Sequence, residues 1–198
     1  MKKIILATGN RHKVEEITAL LEGLPFKVTS LKDYPQVVMP EEDRDTFAGN
    51  AAKKAEAVSR ATGEIVLADD SGLEVEALNG RPGVLSARYA GVSGNDEANN
   101  DLLLRELKDV PPEKRIAKFI CAIAVAVPGD QTYIVEESCS GLITTGRRGS
   151  GGFGYDPLFY FEPAGRTFAE MPAKEKNKIS HRGKALRRMR ELIEKILS

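Results

Sequence analysis

The sequence predicts an α/β or α+β fold built on a mixed β-sheet, from three observations. Segments with helical spacing of apolar residues alternate with short apolar strands. One long hairpin is present, Ala117 to Val127 and Thr132 to Thr144 around Pro128-Gly129-Asp130-Gln131. No linker, repeat or low-complexity tract divides the 198 residues. Residues 1–198 therefore read as one domain, and any two lobes within it share the sheet, leaving a natural binding cleft.

Lys2 to Ala7 is a short apolar strand. Asn10 to Leu21 carries Val14, Ile17, Leu20 and Leu21 at helical spacing, and Gly23 can end that helix. Lys27 to Ser30 is a second strand, followed over 33–45 by a loop with Pro35, Pro40 and the acidic run Glu41-Glu42-Asp43. Thr46 to Thr62 is a helix with a stripe of Phe47, Ala51, Ala55 and Val58, Thr46 as N-cap and Gly63 as its stop. Ile65 to Ala68 is fully apolar, as in a central strand, and runs into Asp69-Asp70-Ser71-Gly72. Leu73 to Ala77 is extended, and Asn79-Gly80-Arg81-Pro82-Gly83 is a turn cluster. Asp96 to Leu107 is a third helix, capped by Asn95 or Asp96. After the hairpin come a glycine-rich stretch, Gly146 to Gly154, and a strand, Pro157 to Phe161. Ser180 or His181 opens the last helix, with Ala185, Met189, Leu192, Ile193 and Ile196 facing inward.

Composition removes several classes. A hydrophobic content of 41% suits a folded chain. No apolar run approaches the roughly 18–20 residues of a membrane span. The apolar start ends at Thr8-Gly9-Asn10, too early for a secretory signal, so a cytoplasmic protein is expected. Lys+Arg and Asp+Glu are both 29, which disfavours a non-specific nucleic-acid binder. The charge is uneven: Lys174 to Ser198 holds nine Lys/Arg against three Asp/Glu. That segment is either a solvated helix face or part of an anion site. Cys121 and Cys139 fit no metal spacing and read as buried thiols.

Five stretches can carry chemistry. Thr8-Gly9-Asn10-Arg11-His12-Lys13 takes a strand into a helix N-terminus, where free amides and the helix dipole favour an anion. Capping alone accounts for Thr8 or Asn10, but not for Lys13 on the first turn, where the dipole disfavours a cation. Asp69-Asp70 at a strand end offers one carboxylate to a given cleft, for Mg²⁺ or for activating water, unless Asp-Ser-Gly is simply a turn. Glu41-Glu42-Asp43 is a solvated loop unless the fold carries it to Asp70. Gly149 to Gly154 matches G-x-G-x-x-G, but a strand follows instead of a helix, so the dinucleotide fingerprint is rejected. Its continuation, Phe153-Gly154-Tyr155-Asp156, suits either a core turn or a base pocket with a stacking ring and an edge-reading carboxylate. Lys174 to Arg182 ends in Ser180-His181-Arg182 at a helix start, where cations again oppose the dipole, so another requirement placed them. The sum is a nucleotide hydrolase without a P-loop.

Six motifs then occur in order: Thr8-Gly9-Asn10-x-x-Lys13, Phe47-x-x-Asn50-Ala51-x-x-Lys54, Ala68-Asp69-Asp70-Ser71-Gly72-Leu73, Ser86-Ala87-Arg88-Tyr89, Gly152-Phe153-Gly154-Tyr155-Asp156-Pro157 and Ile179-Ser180-His181-Arg182-Gly183-Lys184-Ala185. Together they resemble the inosine/xanthosine triphosphate pyrophosphatase family, over nearly the whole chain. The resemblance implies an α/β fold with an elongated mixed β-sheet and flanking helices, two lobes around a central active-site cleft, and a homodimer. It implies Mg²⁺-dependent hydrolysis of dITP, ITP or XTP to monophosphate and pyrophosphate, with no stable nucleic-acid complex and no membrane. By motif, Thr8, Gly9, Asn10 and Lys13 bind phosphates with Lys54 nearby. Asp70 is base and metal ligand, Glu41 the other ligand, and Ser71 a substrate contact. Phe153, Gly154, Tyr155, Asp156, Lys176, His181 and Arg182 form the base pocket.

Donors from His181 and Arg182 facing the purine 6-keto oxygen would explain refusal of ATP, whose 6-amino group meets donor with donor. The alternatives are a pyrophosphatase of other modified nucleotides and a non-enzymatic nucleotide- or RNA-binding module.

Overall fold

A computed structural model describes residues 3–23 and 25–197. In chain order the elements are β1 (Lys3–Leu6), α1 (Arg11–Leu21), β2 (Lys27–Ser30), α2 (Phe47–Thr62), β3 (Ile65–Val75), α3 (Asp96–Glu106), β4 (Ile116–Ala126), β5 (Thr132–Ile143), β6 (Phe159–Phe161), β7 (Arg166–Thr167), α4 (Ala173–Ile179) and α5 (His181–Leu197). The strands form a seven-stranded sheet in the order β2-β1-β3-β4-β5-β6-β7. β1 pairs in parallel with both β2 and β3, whereas β6 is antiparallel to β5 and β7. The sheet is therefore mixed, as the sequence predicts; of the first predicted strand, Lys2 lies outside the described residues.

The helix boundaries follow from caps. The Asn10 side chain accepts from the first-turn amides of α1, and Thr46 accepts from Gly49 N–H to start α2. Gly63 ends α2 in the left-handed region at φ 70°, a conformation in which a side chain is strained. Asn95, not Asp96, caps α3.

One expectation is corrected. The sequence suggests a break at Asp69-Asp70-Ser71-Gly72, but β3 continues through it as one 11-residue strand. Turn-forming residues yield here because β3 lies inside the sheet, and all but two of its residues are buried. The short helix α4 was not predicted, because Ala173–Ile179 lacks an apolar stripe.

The chain divides into two compact units. Residues 1–70, 121–137 and 182–198 form the first, and residues 71–120 and 138–181 the second. The first packs Ile4, Leu6, Ile17, Leu67, Ile123 and Val125 against Ala185, Met189 and Ile193 of α5. The second packs Leu73, Leu103, Leu107, Ile143 and Leu158 around the rings of Phe119, Phe159 and Phe168. Cys121 and Cys139 are buried and outside any disulfide, one in each core. No helix among the described residues is long and apolar enough to cross a membrane.

Candidate active site

In the first unit, β3 carries Asp69 and Asp70 as consecutive strand residues, so their side chains leave opposite faces. Lys54 on α2 is buried and donates from Nζ to three acceptors: Glu42 Oε1 at 2.6 Å, the Asp69 carbonyl at 2.8 Å and Asp70 Oδ1 at 3.0 Å. An ammonium has three protons, so its donor capacity is filled. Asp70 Oδ2 is buried without a hydrogen-bond partner. Burial pushes the Asp70 carboxyl up to about 6; the Glu42 charge adds to the rise, while Lys54 and Lys13 oppose it.

Asp69 is built differently. Arg182 Nε donates to its Oδ2 at 3.2 Å, Cys121 Sγ donates to the same oxygen at 3.1 Å, and the Lys13 ammonium pairs with Oδ1. Burial alone would raise this carboxyl, but Lys13 and Arg182 outweigh it and hold it well below the usual carboxylate range. Burial and the Asp69 charge push the Cys121 thiol up, so it stays a donor at neutral pH. Arg182 also donates from Nη1 to Glu16 Oε2 at 2.7 Å.

The start of α1 is capped as an ordinary helix is. Asn10 Oδ1 accepts from the His12 and Lys13 amides at 3.0 and 3.3 Å, and the Asn10 amide donates to Thr8 Oγ1 at 3.2 Å. Gly9 is different: a Cβ there would meet nothing within 4 Å. Packing does not demand glycine at that position, and the bare backbone leaves room for a ligand to approach.

In the second unit, Asp156 Oδ2 accepts from Lys176 Nζ at 2.6 Å and from the Phe153 amide at 3.0 Å. Asp156 and Lys176 are 2% and 4% exposed. The Lys176 ammonium also lies 4.7 Å from the Phe153 ring centroid, a cation–π distance. Gly154 is tied to α3 at both ends: its amide donates to Asp96 Oδ2 at 2.7 Å, and its carbonyl accepts from Asn100 Nδ2 at 2.9 Å. The Tyr155 hydroxyl donates to the Ser86 carbonyl at 2.8 Å. The His181 ring is buried and stacks on Phe119 with centroids 4.6 Å apart. Ser71, half-buried, follows Asp70 in β3.

Gly152 has a structural reason. Its φ is +69°, and an added Cβ would fall 2.0 Å from Asp156 Oδ2. Gly152→Ala is therefore expected to push Asp156 off its partners. Left-handed strain alone costs about 1–2 kcal/mol, and the displaced carboxylate adds to it. Thermal unfolding checks this, and a midpoint equal to the wild type would refute it.

A family profile described as the Ham1 family matches residues 4–192. The chain belongs to the Ham1 family. Among its relatives, a Geobacillus kaustophilus protein called dITP/XTP pyrophosphatase is 53% identical over 100% of this chain and 97% of its own. A Geobacter sulfurreducens protein of the same name is 51% identical over 94% of each chain. The solved structure of a Coxiella burnetii HAM1 protein superposes with TM-score 0.91 at 38% identity, covering 98% of this chain and 100% of that one. All six motifs read from the sequence fall inside the span this Ham1 profile matches.

The structure gathers Lys13, Lys54, Asp70 and Arg182 of the predicted set into one ionic cluster of the first unit. It gathers Phe153, Asp156 and Lys176 in the second. Glu41 does not join Asp70. Its side chain is exposed, and its neighbour Glu42 makes the contact with Lys54 instead. Adjacent side chains of a non-helical segment leave the chain in different directions, so only one of the two turns inward. Among the described residues, no three His, Cys, Asp or Glu side chains group as metal ligands. Arg182, expected at the base, has Nε and Nη1 engaged by Asp69 and Glu16. Sequence reading singled out the Glu41-Glu42-Asp43 run but not Glu42 within it, and it gave no site role to Glu16, Asp96, Asn100 or Cys121. Glu16 was detectable, since it lies one helical turn beyond Lys13.

Proposed function

We propose that this chain hydrolyses non-standard purine nucleoside triphosphates (dITP, ITP and XTP) to the monophosphate and pyrophosphate, with Mg²⁺. The observation that carries the reading is Asp70: a buried carboxyl pushed up to about 6, with Oδ1 committed to Lys54 and Oδ2 unpartnered. Such a group accepts a proton near neutral pH and awaits a partner that the protein does not supply. Family membership and the names of the relatives support the reaction class.

The donor set fits Mg²⁺. In phosphate chemistry this ion takes one or two carboxylates and completes its shell with substrate oxygens and water. Asp70 Oδ2 and the Glu42 carboxylate would hold it. The metal, when bound, neutralises charge on the phosphates.

The residues divide the remaining work. Lys13, at the first turn of α1 beside Gly9, meets the phosphates. Lys54 holds Glu42 and Asp70 in place. Water attacks the α-phosphorus, a new P–O bond forms, the bond from that phosphorus to the bridging oxygen breaks, and Asp70 takes the water's proton. The base stacks on Phe153, with the Asp156–Lys176 pair and His181 as its polar readers. Each donor–donor mismatch with adenine leaves a group unsatisfied at about 1–3 kcal/mol, roughly 10- to 100-fold in rate.

Pyrophosphate release from ITP, XTP, dITP, ATP and GTP, with Mg²⁺ and with EDTA, tests this. Fast metal-dependent release from the first three and slow release from the others is expected. Equal rates on all five would discard the base-reading half. No release from any would move the protein to the nucleotide-binding class.

A further inference from the structure

We propose that Asp69 is a positioning residue: it fixes the phosphate-binding Lys13 through its side chain and the carboxylate-holding Lys54 through its backbone carbonyl, and acts on the triphosphate only through them. This deepens the pyrophosphatase reading above and rests on it.

The geometry leaves Asp69 no other task. It is 1% exposed. Its carboxylate already accepts from Arg182 and Cys121 and pairs with Lys13. Its carbonyl accepts from Lys54 Nζ at 2.8 Å. Arg182 is in turn held by Glu16, one helical turn beyond Lys13 on α1. Lys13, Asp69, Arg182 and Glu16 thus alternate in sign, and the α1 backbone closes the ring. Each buried charge has an opposite neighbour, the condition under which such a cluster is tolerated.

The two lysines differ in what they can still do. The three protons of Lys54 have their three acceptors, so it has none to spare for a phosphate. The Lys13 side chain keeps 15% of its surface while paired to Asp69, against 7% for Lys54. A lysine side chain is long and rich in rotamers, and ordering one on binding costs about 0.5–1.5 kcal/mol. A preformed ion pair removes that cost before the triphosphate arrives. Loss of the Asp69 charge should therefore weaken phosphate binding by roughly 2- to 12-fold.

The test uses the whole chain, with KM and kcat for ITP and the Kd of inorganic pyrophosphate measured by calorimetry. Asp69→Asn is expected to raise KM and Kd together by that factor, with kcat changed less than KM. On a Lys13→Met background, Asp69→Asn is expected to add no further rise, because the group it positions is gone. Should Asp69→Asn alone not fold, the Lys13→Met and Lys13→Met/Asp69→Asn pair decides, since the double variant removes both charges of the ion pair. Unchanged KM with kcat lost, or a full additional loss in the double variant, would overturn the positioning role. Wild-type protein that releases no pyrophosphate from ITP would instead overturn the pyrophosphatase reading, so the two failures are distinguishable.

Discussion

Asp70→Asn is expected to abolish pyrophosphate release and, at pH 8, to unfold at a higher temperature than the wild type. The first effect follows from removing a general base, worth about 10²–10⁴-fold, together with one of two carboxylates available to a cation. The second follows from burial. The ordinary value for this carboxyl is 3.8, and burial with Glu42 nearby pushes it up to about 6. A raised folded value means the neutral form suits the fold. The contribution of Asp70 is fully present below about pH 3.8 and is lost as pH rises through about 6. Above that, an ionised buried carboxylate costs the fold on the order of 3 kcal/mol, from about two pKa units. Asparagine keeps the shape and never ionises. Lys54 retains Glu42 and the Asp69 carbonyl, so no buried ammonium is stranded. At about 2–4 °C per kcal/mol for a chain of this size, the gain is several degrees. The wild-type midpoint should climb towards the variant's as pH falls from 8 to 5. An Asp70→Asn protein that turns over ITP normally, or that melts below wild type at pH 8, would remove Asp70 from the role assigned to it.

This trade of stability for reactivity bears on how much was legible in the sequence. Period and caps placed α1, α2, α3, α5 and the β4–β5 hairpin to within about two residues, because those signals are local. Two local anomalies pointed beyond themselves. Lys13 and Arg182 each place a cation at a helix start, where the dipole opposes it, and both are answered by the one buried carboxylate of Asp69. The answer itself was not readable, since Asp69 and Arg182 are 113 residues apart and only folding joins them. The choice of Glu42 over Glu41 was hidden for a related reason: an irregular loop has no period to say which side chain turns inward. The passage of β3 through Asp-Asp-Ser-Gly defeated local propensity, because pairing inside a sheet outweighs turn preference.

Lys176→Met is expected to be among the most destabilising single changes in the second unit. Lys176 and Asp156 are both almost wholly buried, and their contact is 2.6 Å. Removing one partner strands the other, a loss of about 3–5 kcal/mol for a buried pair. That corresponds to a midpoint roughly 6–20 °C lower for a chain of this length. Asp156 keeps the Phe153 amide at 3.0 Å but loses the Lys176 ammonium. Replacing both partners, as Lys176→Met/Asp156→Leu, leaves no buried charge and only the Phe153 amide without its acceptor, so it should recover part of the stability. It should not recover function. The pair orders Phe153 through the amide contact and the cation–π distance of 4.7 Å, so both variants should lose discrimination between ITP and ATP. Thermal unfolding separates the stability effect from the ITP-to-ATP ratio. A single variant as stable as wild type would show that the pair does not hold this loop. A double variant that still prefers ITP would show that the base is read by other residues.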